Sequence, residues 1–251
     1  MRHWVMGLVL VLAGAMGISA SGAPVQGTDY QALNPARPTS TPNKIVVTEF
    51  FSYQCPHCYQ FSPILNSWVS KLPSDVVFER VPVSFGRPDW GSIAQAYFSL
   101  QAMDKLDAKM DTAIFAAIHE QRIKLTDLSS ITDWVSKQGV NGKDFSDMYT
   151  SFGIGSKMKN AEQATVAYNI SGVPTLIIDG KYTVLGNDHN VQLATADQLI
   201  EMVRAARGMP VPVTKQAASS SSSSSSGESK KTAHKPIAKA SSAKDQSKRA
   251  G

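Results

Sequence analysis

Two cysteines stand three positions apart, Cys55-Pro56-His57-Cys58, at the seam where a strand pattern gives way to a helix pattern, and they are the chain's only two. Before them runs Lys44-Ile45-Val46-Val47-Thr48-Glu49-Phe50-Phe51, β-branched and aromatic and bounded by Pro42-Asn43 and Ser52, which predicts a buried strand. After them Phe61, Ile64, Leu65, Trp68, Val69 and Leu72 recur at helical spacing, predicting an amphipathic helix that stops before Pro73. Pro56 suits the first helical position, where its missing N–H costs nothing, whereas Pro63, further in, should kink the helix. A bridge across so short a loop adds little chain-entropy stabilisation, so the pair points to chemistry rather than to stapling.

The position selects the chemistry. Unpartnered backbone N–H groups and the positive end of the helix dipole favour an anion at a helix N-terminus, which lowers a thiol pKa there. Cys55 is therefore the expected nucleophile, and Cys58, one turn in, the thiol that resolves a mixed disulfide. His57 can add a hydrogen bond or positive charge in favour of the Cys55 thiolate; the plainer alternative is a surface imidazole without a role. A c-type haem site needs His directly after the second Cys, where this chain has Tyr59. A zinc site needs about four ligands in paired spacing, and His3, His119, His189 and His234 are isolated. No metal and no cofactor is expected.

A second, weaker signal lies in Ile170-Ser171-Gly172-Val173-Pro174-Thr175-Leu176-Ile177-Ile178-Asp179-Gly180. Pro174 stands at the start of a strand pattern, where no ladder N–H is needed, and Asp179-Gly180 gives a tight turn into Lys181-Tyr182-Thr183-Val184-Leu185, a hairpin.

The two ends of the chain differ from its middle. Arg2, an apolar stretch from Trp4 to about Ile18 and the small residues Ser19 to Ala23 form a secretory signal pattern, with cleavage expected after Gly22. An uncleaved anchor is the alternative, but the apolar run falls short of the ~20 residues that span a bilayer. Beyond Val213 come eight consecutive serines, Ser219 to Ser226, then a mixture of Lys, Ala and Ser, with eight Lys/Arg against Glu228 and Asp245. Such a tail cannot offset the entropy of ordering and should be disordered, either a solvated appendage or one that touches anionic envelope polymers or lipid headgroups. It carries a net +6 of the chain's +5; with Arg2 set aside, the remainder is −2. A mildly acidic body argues against a nucleic-acid groove, and no nucleic-acid partner is expected.

Glu49 to Phe61, through Phe50-Phe51-Ser52-Tyr53-Gln54-Cys55-Pro56-His57-Cys58-Tyr59-Gln60, together with Gly172-Val173-Pro174-Thr175, closely resembles the DsbA family of periplasmic thiol:disulfide oxidoreductases, and the resemblance covers roughly residues 27–208. It implies a nucleophilic Cys55, a resolving Cys58, a cis peptide before Pro174 bordering the disulfide, and a buried acid beneath it at Glu49. The Val173 backbone should then pair with an extended substrate segment. The family also implies cysteine-containing exported proteins as substrates and a DsbB-type quinone-linked membrane oxidase as reoxidising partner, in the periplasm. The serine-rich tail lies outside the family pattern.

Spacing agrees with an α/β, thioredoxin-like core carrying an inserted helical domain. Cys58 and Pro174 are 116 positions apart, far more than one helix and one strand require. Val76-Val77-Phe78-Glu79-Arg80-Val81-Pro82-Val83 supplies the intervening strand, ending or bulging at Pro82. Helical stripes follow at Ile93, Ala96, Tyr97 and Leu100; Met110, Ile114, Phe115 and Ile118; Leu128, Ile131, Trp134 and Val135; and Phe145, Met148, Tyr149 and Phe152, read as core. The expected organisation is a signal peptide over 1–22, an N-terminal extension over 23–43, a thioredoxin-like domain over 44–86 and 166–210, the helical insertion over 87–165 and the tail over 211–251. A last helix should run from Thr195 to Arg207, stopped by Gly208 and Pro210.

The function expected is an exported dithiol oxidase, acting as a monomer. The alternatives are an isomerase or reductase, which in related families brings a dimerisation domain not found here, and a non-enzymatic envelope-binding protein acting through its basic tail.

Overall fold

The centre of the fold is strand β2 (Ile45–Phe51), buried at every position but Thr48. The structure is a computed structural model and describes residues 22–212. β2 pairs in parallel with β3 (Val76–Pro82), from Ile45 opposite Val76 to Phe51 opposite Pro82. Parallel neighbours need a crossover, supplied by α1 (Pro56–Val69). On its other side β2 runs antiparallel to β4 (Thr175–Ile178), which turns through Asp179 and Gly180 into β5 (Tyr182–Val184). Both residues have positive φ, 56° and 63°, and with Ile178 paired to Tyr182 the connection is the three residues Asp179 to Lys181. Gly180 is needed for space as well, since a Cβ there would lie 2.2 Å from the Arg37 carbonyl oxygen.

One strand was not anticipated. β1 (Tyr30–Ala32), within the N-terminal extension, pairs antiparallel with β5 and closes the sheet in the order β1-β5-β4-β2-β3.

Between β3 and β4 the chain forms five helices: α2 (Pro88–Ala102), α3 (Ala108–His119), α4 (Leu128–Lys137), α5 (Gly142–Tyr149) and α6 (Phe152–Ala167). Four of them start at a side chain that accepts from a free backbone N–H: Asp107, Asp127, Asn141 and Ser151. Ser151 corrects one expectation, because the helix over Phe145 to Tyr149 ends and a new one is capped there. Phe152 consequently falls at the first position of α6 and is 91% exposed instead of lying in the core. Ile64 is also exposed: the buried stripe of α1 is Cys58, Phe61, Ser62 and Leu65, with Ile64 at its rim and Pro63 inside a helix that continues to Val69. The last helix, α7 (His189–Ala206), starts six residues before the expected Thr195, because Asp188 accepts from the Asn190 and Val191 amides and so caps it there. No described helix is long and apolar enough to cross a membrane.

The period of two along β2 sorts the core. Ile45 and Val47 pack with Phe61 and Leu65 of α1 and with Leu193, Leu199 and Ile200 of α7. Phe51, on the same face, packs with Tyr97, Ile114 and Phe115 of the helical region. Glu49 lies between them, at the seam of two apolar clusters and next to the start of α1.

Candidate active site

β2 delivers the chain through Ser52 to Cys55, which is the N-cap of α1 with extended backbone, φ −87° and ψ 119°. Its carbonyl accepts from the Tyr59 amide at 3.1 Å, and Pro56 occupies the first helical turn. Both cysteines are free thiols. Cys58 is fully enclosed, whereas Cys55 retains 6% exposure beside the exposed Pro56 and His57. The Cys55 Sγ lies 3.2 Å from the Val173 carbonyl oxygen, and the Val173–Pro174 peptide is cis. Residues 118 positions apart are thus brought into contact by the pairing of β2 with β4.

The environments of the two thiols drive them in opposite directions. Cys55 is lowered from 9.0 to about 6, first by the hydrogen bond from the Cys58 thiol, then by the backbone amides of Cys58 and His57, and last by the His57 charge; burial works against them. Cys58 is pushed far above the usual thiol range, first by burial, then by its bond to Cys55 and by the negative charge of Glu49. The backbone amides at the helix N-terminus contribute to the lowering, while the neighbouring thiol is the largest contribution and the imidazole the smallest.

Beneath the thiols, Glu49 is completely buried. Its Oε2 accepts from Arg80 Nε at 2.7 Å, and its Oε1 has no hydrogen-bond partner among the described residues. Arg80 Nη1 also donates to Asp111 Oδ1 at 2.7 Å, and the Tyr53 hydroxyl donates to that same oxygen at 2.5 Å. The guanidinium carbon stands 3.7 Å from the centre of the Phe51 ring. Burial raises the Glu49 carboxyl above 4.5, Arg80 pulls it back, and Asp111 and Cys55 push it up again. His119 is bonded through Nε2 to the Tyr53 carbonyl at 2.8 Å and stacks on Tyr59 at 4.9 Å, which fixes the start of α1 against α3.

Arg80, Asp111 and Tyr53 were not among the anticipated site residues. The register pairs Glu49 directly with Arg80, and a signal existed in the sequence: Asp111 lies three and four positions before Ile114 and Phe115, on the stripe of α3 that should be apolar. Next to the thiols a groove of about 810 Å³ is lined by His57, Val173, Pro174, Leu185 and His189, among others. Among the described residues no group of three His, Cys, Asp or Glu is gathered so as to hold a metal ion.

A thiol capping the helix that follows the central strand, a second, buried thiol one turn in and a cis-proline beside the first define a thioredoxin-like thiol:disulfide oxidoreductase. Residues 46–198 match the DSBA-like thioredoxin domain family. The thiol:disulfide interchange protein DsbA of Pseudomonas syringae pv. tomato is 41% identical over 82% of this chain and 98% of that protein, and its namesake from Azotobacter vinelandii is 38% identical over 82% and 100%. The crystal structure of Pseudomonas aeruginosa DsbA is similar with a TM-score of 0.70 and 38% identity, covering 72% of this chain and 95% of that one. The chain belongs to the DsbA family, and its activity is thiol:disulfide interchange.

Proposed function

We propose that this protein works in the direction of oxidation, as a periplasmic donor of the Cys55–Cys58 disulfide to exported proteins that contain cysteine pairs. A substrate thiolate attacks Cys55 Sγ, a substrate–Cys55 disulfide forms, and Cys58 departs with its bonding pair. A second substrate thiol, deprotonated, then attacks the substrate sulfur of that mixed disulfide and expels Cys55 as thiolate. Two electrons have passed from the substrate dithiol to the protein, and a DsbB-type quinone-linked membrane oxidase removes them again.

The observation that carries this reading is the unequal treatment of the two thiols. Stabilising a Cys55 thiolate stabilises the reduced protein alone, so the disulfide becomes less stable and more readily transferred, an effect for which DsbA proteins are a standard illustration. The enclosed Cys58 cannot remain a thiolate when it departs and must take up a proton. Glu49, buried, raised and coupled by charge to Cys58, is our reading of the acid that supplies it. Pro56 starts the helix at its first turn, and the imidazole of His57 assists the thiolate from the surface. The Val173 carbonyl and Pro174 border the nucleophile, where an extended substrate segment can lie along the exposed backbone.

Export rests on the signal pattern of residues 1–22 and envelope contacts on the basic tail; residues 1–21 and 213–251 lie outside the described residues. Equilibration against glutathione together with peptide-dithiol oxidation tests the direction. A reduction potential as low as thioredoxin's would assign the protein to reduction instead.

A further inference from the structure

Two carboxylates share a single guanidinium beneath the active site. Arg80 donates through Nε to Glu49 and through Nη1 to Asp111, both at 2.7 Å, and the acids come from different parts of the fold, Glu49 from the central strand and Asp111 from helix α3 of the helical region. The side chains of Glu49 and Asp111 are 0% and 9% exposed. Asp111 is further held by the Tyr53 hydroxyl at 2.5 Å, whereas Glu49 keeps one oxygen without a partner among the described residues. Among the described residues Arg80 is the one cation in ion-pair contact with these two buried carboxylates. The other charged or titratable groups around Glu49 are Cys55 and Cys58 at the start of α1, Tyr53 and, from α2, Tyr97, and across the sheet it faces the apolar Leu176.

Two carboxylates in one site with one positive charge cannot both ionise easily, and the one with fewer donors retains the proton. Asp111 receives two donors and Glu49 one. We propose that Asp111 is a positioning residue for the redox step: by sharing Arg80 it leaves Glu49 half-neutralised, so that Glu49 carries the proton that departing Cys58 takes up. The proposal rests on the reading of Glu49 as that acid. It gives the helical region a part in the chemistry through Arg80, which bridges Asp111 of α3 to Glu49 of the central strand.

The test is single-turnover oxidation of an excess peptide dithiol by the oxidised full-length protein, followed from pH 5 to 9 for wild type, Asp111→Asn, Glu49→Gln and the double variant. With Asp111 neutral, Arg80 serves Glu49 alone and Glu49 ionises at lower pH. The expected result is a rate roughly tenfold lower near pH 7, recovering as the pH is lowered, which corresponds to a displacement of about one pH unit in the controlling midpoint. Glu49→Gln should be slow across the range without that midpoint, and adding Asp111→Asn to it should change nothing further. If Glu49→Gln is slow but Asp111→Asn follows the wild-type profile, or the two losses multiply in the double variant, the role of Asp111 is overturned while that of Glu49 stands. If Glu49→Gln reacts like wild type, the reading of Glu49 falls and this proposal with it. Should Asp111→Asn not fold, infrared spectra of the wild type decide: a protonated carboxyl band at pH 7 that vanishes in Glu49→Gln supports the proposal, and its absence overturns it.

Discussion

Arg80 and Arg204 are both enclosed arginines that each hold two acids, yet they do different work. Arg204 of α7 is 2% exposed and grips Asp75, ahead of β3, with Nε at 2.8 Å and Nη2 at 3.1 Å, and it also reaches Glu201 one turn back on its own helix. Asp75 and Glu201 are 17% and 63% exposed, so solvent can reach both carboxylates and screen the charge that one arginine leaves uncompensated. Around Arg80 the acids are sealed, one oxygen has no partner among the described residues, and two thiols lie close by. The contrast is between a clamp and a proton store: the same residue types give fixed structure where solvent reaches the acids, and chemistry where a buried oxygen is left without a donor among the described residues.

The contrast is broken most completely at the thiols. Cys55→Ser should abolish dithiol oxidation altogether, while Cys58→Ala should accumulate Cys55-linked mixed disulfides with client proteins, visible on non-reducing gels, because the resolving thiol is gone. Trapping that instead required Cys58, with Cys55 removed, would reverse the assignment of the two roles. Neither variant should disturb the Arg204 clamp.

Replacing each arginine with Met separates the two regions next. Arg80→Met leaves two buried carboxylates without a cation and should cost about 3–5 kcal/mol in denaturant unfolding. Arg204→Met leaves carboxylates that water can reach, so about 1.5–3 kcal/mol is expected. Their pH dependence should differ as well. Without Arg80, which pulls the Glu49 carboxyl down, the folded state holds the Glu49 proton more tightly than the unfolded chain does, so the stability of that variant falls as pH rises. The Arg204 variant should track wild type in this respect, and equal pH slopes for the two would erase the distinction.

How much of this could be read from the chain follows the range of the interactions. The strand Ile45–Phe51, the start of the helix at Pro56 and the Asp179-Gly180 hairpin are local patterns, and each has its signal within a few residues. β1 is three residues long and exists because β5, about 150 positions later, offers it an edge. The early start of α7 depends on Asp188, which stands after Gly186-Asn187 in what looks like turn sequence. Cys55, Cys58 and Pro174 are legible because their chemistry demands particular residue types. Arg80 and Asp111 were hidden by the general expectation that charges lie at the surface; only strand register and the packing of α3 bring them to Glu49.

A smaller effect should appear in the stability of the reduced protein relative to the oxidised one. Cys55 sits near 6 in the folded reduced form and at 9.0 as an ordinary thiol. Its stabilisation of the reduced form is therefore complete above about pH 9 and is lost as pH falls through 6. Between those limits the gap between the two forms should widen with pH by at most about 1.4 kcal/mol per unit, reduced by solvent screening at this partly open site. Paired denaturant curves of the two forms at a series of pH values measure it, and a gap independent of pH would remove the depressed thiol on which the oxidising direction rests.

The smallest effect concerns His57, and it ranks the causes of that depression. The imidazole is exposed, so its charge acts on Cys55 through water and is screened, whereas the Cys58 thiol and the backbone amides at the start of α1 are fixed at short range in the protein. Thiolate absorbance against pH should place the Cys55 midpoint of His57→Ala less than about one unit above wild type. The difference should shrink further in high salt, because a charge reaching through solvent is screened and a hydrogen bond is not. Cys58→Ala, which removes the largest favourable contribution, should move the midpoint further and do so regardless of salt. If His57→Ala displaced it as far as Cys58→Ala, the imidazole would have to act at short range, and the thiolate would owe its stability to the surface of the site rather than to its interior.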